Sequence, residues 1–198
     1  MRHRTLTLLT LLGLVLILGG CASSVEPPAR YTLPVAPITP AATATEHTLA
    51  VRSPRLAHYL DVEGIVMQLD DITLNAARQH QWAEELGRQL ERGLRGRLSR
   101  ELPLVQVVRA EGRQQGAVTL AVEVDQFQGR FDGNAVASGQ WQLRGANNEL
   151  LALESFNVET ELAQDGYPAL VRALGQSLDE VAAEIASDIR TGGYFTAP

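Results

Sequence analysis

Lysine is absent from this 198-residue chain, so each of its 17 basic side chains is an arginine. A phosphate-binding loop built around the usual lysine is thereby excluded. Cysteine occurs once, as Cys21, which rules out an internal disulfide and leaves no cysteine pair for a zinc site. Basic charge is in deficit as well: 17 arginines face 23 Asp and Glu for a formal net charge of -6, the wrong balance for a nucleic-acid partner. Aromatic residues make up only 5%, which argues against a dedicated aromatic-lined pocket. No apolar run is long enough to stay in a membrane as a span. Leu6 to Leu18 covers 13 residues, about 20 Å as a helix against a hydrocarbon core of roughly 30 Å.

What is present begins with a secretory leader. Arg2, His3 and Arg4 precede the apolar stretch, and Gly19 and Gly20 precede Cys21, the three-part order of an export signal. Leu18-Gly19-Gly20-Cys21 resembles the lipobox of bacterial lipoproteins. That resemblance implies diacylglycerol transfer to the sulfur, cleavage before Cys21 and N-acylation, typically with palmitate. Two or three acyl chains hold a protein on a membrane far more firmly than one. In lipoproteins of double-membrane bacteria an Asp after the acylated Cys commonly signals inner-membrane retention; Ala22 stands there instead and implies the outer membrane.

Removing residues 1–20 takes away Arg2 and Arg4, leaving 15 arginines against 23 acids, or -8. Residues 21–46 read as the acylated N-terminus and a tether, because positions 22–46 hold five of the nine prolines among Ala, Thr and Ser. Within it Tyr31-Thr32-Leu33 is a β-prone patch placed to dock as an edge strand, ended by Pro34. Residues 47–192 form the expected single domain and 193–198 a C-terminal tail.

Leu49 and Val51 alternate with polar neighbours, Ile65 to Leu69 gives a second strand, and Ile72 to Leu74 begins its hairpin partner. Leu86, Leu90, Leu94, Leu98 and Leu102 recur every fourth residue, predicting a helix from about Gln81 to Leu102, with Trp82 one turn ahead of the seam. Val105 to Val108 is a short strand. Val118, Leu120, Val122 and Val124 alternate cleanly, and Phe127 breaks their parity, which predicts a bulge. Turns at Asp132-Gly133-Asn134 and Ala146-Asn147-Asn148 then connect two more strands into an antiparallel meander. A last helix runs from about Pro168 to Ile189, leaving at Gly192-Gly193. The predicted class is α+β, a mainly antiparallel sheet with two long amphipathic helices packed on one face.

Tyr59-Leu60-Asp61, Ile65-Val66, His80-Gln81-Trp82-Ala83-Glu84 with Leu86, and Tyr31-Thr32-Leu33-Pro34 near the start together resemble the PqiC/YmbA family, the auxiliary lipoproteins of ABC-type transport systems. The chain departs from the family's habit at Val62-Glu63-Gly64, at Met67-Gln68 and at Glu85, where Arg-Pro, Arg and Pro are frequent. The resemblance implies a periplasm-facing outer-membrane lipoprotein that works with a tunnel-forming MCE-domain protein and its inner-membrane component in moving lipid between membranes and preserving envelope integrity. MCE proteins form rings, so a homo-oligomeric lipoprotein is a further expectation. A direct lipid-carrying module and a scaffolding lipoprotein of another envelope complex stand as alternatives.

Catalysis is not expected. Beyond the leader, His47, His58 and His80 lie at no metal-ligand spacing with one another, and Ser138-Gly139 lacks the preceding glycine of a nucleophile elbow. Asp70-Asp71 reads as a turn rather than an acid-base pair. No cofactor is expected apart from the covalent lipid on Cys21. Partner-binding candidates are Arg88, Arg92 and Arg95, on one side of the first helix, and Tyr194 and Phe195 beyond the second. For the arginines the competing reading is a solvated face with Glu84 to Arg88 and Glu91 to Arg95 pairs. The two aromatics either fold back on the body or dock on another subunit.

Overall fold

The computed structural model describes residues 26–34, 47–111 and 116–195. The leader, Cys21 and much of the expected tether lie outside the described residues. In chain order the elements are β1 (Ala29–Tyr31), β2 (His47–Val51), β3 (Arg55–Leu56), a 3-10 turn at His58–Leu60, β4 (Gly64–Gln68) and β5 (Leu74–Trp82). Then come α1 (Leu86–Glu101), β6 (Val105–Arg109), β7 (Val118–Arg130), β8 (Asn134–Arg144), β9 (Leu150–Glu161) and α2 (Tyr167–Gly192). No helix among the described residues is long and apolar enough to cross a membrane.

β7 organises the sheet. Its 13 residues extend about 40 Å at 3.3 Å per residue. One edge pairs with β8, and β8 with β9, giving the expected antiparallel meander. The other edge takes three short parallel strands in succession: Leu49 lies opposite Val118, Arg55 opposite Glu123 and Met67 opposite Gly129. β6 runs parallel to β2, β5 forms a hairpin with β4, and β1 lies parallel to β5. The sheet is therefore mixed, and the expectation of a mainly antiparallel one holds for the β7–β9 meander and the β4–β5 hairpin but not for the remaining pairs. Residues 47–68 advance along β7 in its own direction, and β5 and α1 return the chain to the starting end, the crossover that parallel neighbours require.

Both helices cover one face. Leu90 and Leu94 of α1 and Leu178 and Val181 of α2 meet Val122, Val124 and Phe127 around a residual void of only about 10 Å³. The register shifts between Val124 and Gln126, which returns Phe127 to the helix-facing side and accounts for the broken parity. α2, with 26 residues, is about 39 Å long and spans the same length as β7. Pro168 sits in its first turn and Gly193 ends it with a left-handed φ of 61°, which glycine adopts without a Cβ penalty.

Element boundaries differ from the sequence expectation: the strand expected to begin at Ile72 begins at Leu74, and two further shifts are larger in consequence. Gln81 and Trp82 finish β5 instead of starting α1, because Trp82 N–H bonds the Glu63 carbonyl and Ala83 N–H the Tyr31 carbonyl. Sheet pairing there outweighs the four-residue leucine spacing, and α1 begins at Leu86. The N-terminal strand is Ala29–Tyr31 rather than Tyr31–Leu33: Leu33 turns inward, is buried, and gives its N–H to Gln89 Oε1 at 2.8 Å.

Candidate functional site

The N-terminal segment is built into the body by a buried arginine. Arg97 is 1% exposed. Its Nε donates to Asp179 Oδ1 at 2.8 Å, Nη2 to the Gly175 carbonyl at 3.0 Å and to the Pro34 carbonyl at 3.2 Å, and Nη1 to the Gly93 carbonyl at 3.3 Å. A buried guanidinium is tolerable only with such a set of acceptors. It ties α1, α2 and residues 33–34 together. One strand earlier Tyr31 Oη lies 2.9 Å from His80 Nδ1, and the His80 ring stacks on Tyr167 with centroids 4.0 Å apart and planes at 19°. His80 is thus a strand residue in an aromatic stack. Arg97 escaped the sequence reading, although its signal was there: it falls three residues after Leu94, on the apolar seam, where a solvated arginine does not belong.

This pinning brings the folded body close to Cys21 in sequence. Cys21, outside the described residues, precedes Ala29 by eight residues, at most about 28 Å of extended chain. Residues 29–34, grouped by composition with the tether, are part of the folded body.

Tyr59-Leu60-Asp61 also has a structural role. Leu60 is buried, and Tyr59 Oη lies 2.6 Å from the Asp125 carbonyl and 2.8 Å from Gln128 Oε1, clasping the bulge in β7. Burial, and secondarily the charge of Asp125, raises the Tyr59 hydroxyl above its ordinary pKa, so it remains a donor at neutral pH.

The three arginines proposed as contacts each meet a carboxylate. Arg88 Nε lies 2.9 Å from Glu85, Arg92 pairs with Glu84, and Arg95 Nε bonds Glu91 Oε1 at 2.7 Å. The Glu91–Arg95 pair is the expected one, but Glu84 reaches Arg92 instead of Arg88. Because α1 starts late, Glu84 precedes the helix and is free of the i,i+4 geometry. Its hydrogen bond from Arg92 holds the Glu84 carboxyl below the usual range. Glu91 is itself buried and also forms an ion pair with Arg109, Oε2 to Nε at 3.2 Å. This face carries paired charges rather than bare cations.

At the starting end of β2 and β6, where both helices finish, lies an open apolar groove of about 580 Å³, lined chiefly by Leu102, Pro103, Leu104, Val105, Ile189 and Phe195. Arg190 Nη1 donates to the Glu101 carbonyl at 2.9 Å and joins the helix ends. Phe195 stacks on His47 with centroids 5.3 Å apart, and Tyr194 is partly buried against the core. Both aromatics fold back on this body.

Asp70 serves a turn. Asp70 Oδ1 accepts the N–H groups of Ile72 and Thr73 at 2.9 and 2.7 Å, a turn-stabilising arrangement; these bonds lower its pKa. Among the described residues no group of three His, Cys, Asp or Glu is placed to hold a metal.

Comparison with known proteins agrees with this architecture. The chain is 33% identical over 175 residues to the intermembrane transport lipoprotein PqiC of Escherichia coli K12, covering 87% of this chain and 92% of that one, and equally to its counterpart from Shigella flexneri. A crystal structure of an uncharacterized protein matches with a TM-score of 0.74 at 31% identity, covering 83% of this chain and 99% of the other. A Xanthomonas campestris protein shares the fold at a TM-score of 0.67 and 20% identity, over 83% and 96% of the two chains. Residues 31–186 match the model of the ABC-type transport auxiliary lipoprotein component. From the docked Tyr31 to the last turns of α2, the chain belongs to the family of ABC-type transport auxiliary lipoproteins.

Proposed function

We propose that this protein is a lipid-anchored outer-membrane component of an intermembrane transport system, acylated on Cys21. In this role it docks the outer end of a tunnel-forming MCE-domain protein whose base lies with an inner-membrane component, and it supports envelope integrity by contact rather than catalysis. The observation that carries the reading is the short anchor. β1 is fastened to the sheet within eight residues of Cys21, so the acyl chains hold the body close to a bilayer and leave the groove at Leu104 at the opposite end of β7. The family and the intermembrane transport relatives supply the process. A photo-crosslinker at Leu104 in the acylated protein in intact cells should recover an MCE-domain protein; recovering only other envelope complexes would overturn the assignment.

A second reading, direct carriage of lipid, is favoured by the apolar groove itself, whose volume of about 580 Å³ falls in the range of ligand sites. The packed core, with its void of about 10 Å³, has no room for an acyl chain. Native mass spectrometry of the soluble domain separates the two: abundant copurified phospholipid selects the carrier, its absence the adaptor.

A further inference from the structure

At the end of the sheet opposite the groove, four large apolar side chains stand exposed: Ile72 at 86%, Phe131 at 59%, Leu69 at 53% and Leu74 at 42%. They come from two hairpins, β4–β5 and β7–β8. Because β4 and β7 are parallel neighbours, with Met67 beside Gly129 and Gln68 beside Arg130, both turns project from the same end. Local bonds hold their shape. Asp70 Oδ1 accepts from Ile72 and Thr73 N–H, and Leu69 N–H bonds the Thr73 carbonyl at 2.8 Å. In the second turn Asp132 Oδ1 accepts from Asn134 N–H at 3.2 Å, and Arg130 donates to Glu159 and Asp132. The apolar groups are thus displayed on ordered turns, at little further cost in conformational entropy on binding.

The direction of β1 says what covers them. β1 is parallel to β5 with Ala29 opposite His80, so the chain ahead of Ala29 arrives from the end at which β5 begins, the hairpin end. Tyr167, the first residue of α2, stacks on His80, placing this entry beside the beginning of α2 rather than at its groove end. From His80 back to Leu74 is six residues, about 20 Å of strand. From Ala29 back to Cys21 is eight residues, at most about 28 Å. The anchor's reach therefore ends at the level of the apolar tip.

We propose that the tip formed by Leu69, Ile72, Leu74 and Phe131 rests in the interfacial layer of the same bilayer that takes the acyl chains. This rests on the reading of Cys21 as acylated. Apolar side chains entering the headgroup boundary add to an acyl anchor by the same burial of hydrocarbon. Around the tip stand Asp70, Asp71, Asp132 and Glu159, the last two paired with Arg130, so the rim is acidic and prefers a zwitterionic surface to an anionic one. With the tip on the bilayer, the length of β7 turns the groove away from the membrane, where a partner crossing from the inner membrane arrives.

The test uses the full acylated protein in phosphatidylcholine vesicles carrying brominated acyl chains, with Ile72→Trp, Phe131→Trp and the groove control Leu104→Trp. The two native tryptophans, Trp82 and Trp141, are buried at 5% and 2% exposure, and their emission, recorded on the wild-type protein in the same vesicles, is subtracted. Emission from positions 72 and 131 is expected to shift to the blue and be quenched, while that from 104 is not. Replacing part of the phosphatidylcholine with phosphatidylglycerol should reduce the quenching, and unchanged quenching would refute the part assigned to the acidic rim. Floated protein without quenching at 72 and 131, or with equal quenching at 104, overturns the proposal and leaves the anchor standing. Protein that fails to float removes the anchor and the proposal together.

Discussion

The ring of Pro34 rests on α2 at Gly175, so closely that a Cβ added to Gly175 would come within 2.8 Å of Pro34 Cδ. The carbonyl of the same proline is held by Arg97 from the facing helix. Between them these contacts decide where the anchor segment joins the body.

Enlarging Gly175 tests the first contact. Gly175→Leu should push Pro34 and the buried Leu33 outward and cost about 2 kcal/mol, the value of exposing one such side chain. Arg97→Met removes the guanidinium that satisfies three carbonyls and Asp179, and should cost about 3 kcal/mol. Urea unfolding measures both losses. Tryptic cleavage after the exposed Arg30, followed by mass spectrometry, should accelerate in each variant; unchanged cleavage would show that β1 alone retains the segment.

Gly139 lies opposite Val124 at the bulge, where an added Cβ would sit 2.0 Å from the Glu123 carbonyl oxygen. Backbone cannot move aside as a flexible side chain does, so Gly139→Ala should cost about 3 kcal/mol or more. At Gly133 a Cβ meets nothing within 4 Å, but φ is +84°, and Gly133→Ala should cost only about 1 kcal/mol. Equal losses on chemical denaturation would contradict the bulge as the tight point.

Acid should loosen the tip hairpin through Asp132. The hydrogen bond from Arg130 is the main reason its pKa falls from the ordinary 3.8 to about 2, and the same guanidinium lowers Glu159. A carboxyl depressed in the folded state stabilises above its ordinary pKa, and that contribution is lost as pH drops through its folded value. Between about pH 4 and pH 2, therefore, wild type should lose a stabilisation that Asp132→Asn no longer has. Carboxyl NMR titration of Asp132 and acid unfolding of the two proteins check the sign; a midpoint at or above 3.8 for Asp132 would rule it out.

Anchoring is tested apart from folding. Cys21→Ser should leave far-UV circular dichroism and melting of the exported body unchanged and move the protein from the membrane to the soluble fraction. Ala22→Asp should keep it on a membrane but shift it from outer to inner fractions. Continued outer-membrane flotation of the Ala22→Asp variant would discard the sorting argument.

The β7–β9 meander and both helices were legible because their alternation and seams were long enough to reveal one buried face: Val118 to Val124, Leu86 to Leu98, Val171 to Ile189. Arg88, Arg92 and Arg95 were correctly grouped on α1, yet the partner of Arg92 was missed, since it depends on Glu84 lying before the helix. Tyr59 was recognised as part of a family motif, and only its distance to the Asp125 carbonyl shows that it clasps the bulge. Ile72 was read as the start of a strand and Phe131 was not singled out; both lie in turns and become a surface only because β4 and β7 are neighbours.

What the sequence determined by itself is local or periodic: two amphipathic helices, a strand meander, and the motifs of a lipoprotein family. Periodicity reports which side of an element is buried, because 3.6 and 2 residues per repeat are properties of the chain alone. Strand direction and the partner of a buried charge depend on residues tens of positions apart. Only the tertiary structure decided that β2, β3 and β4 run parallel along β7, that Arg97 holds Pro34, and that the folded body begins eight residues after Cys21. Those relations set how few residues separate Cys21 from the folded body, although composition had grouped residues 29–34 with the tether.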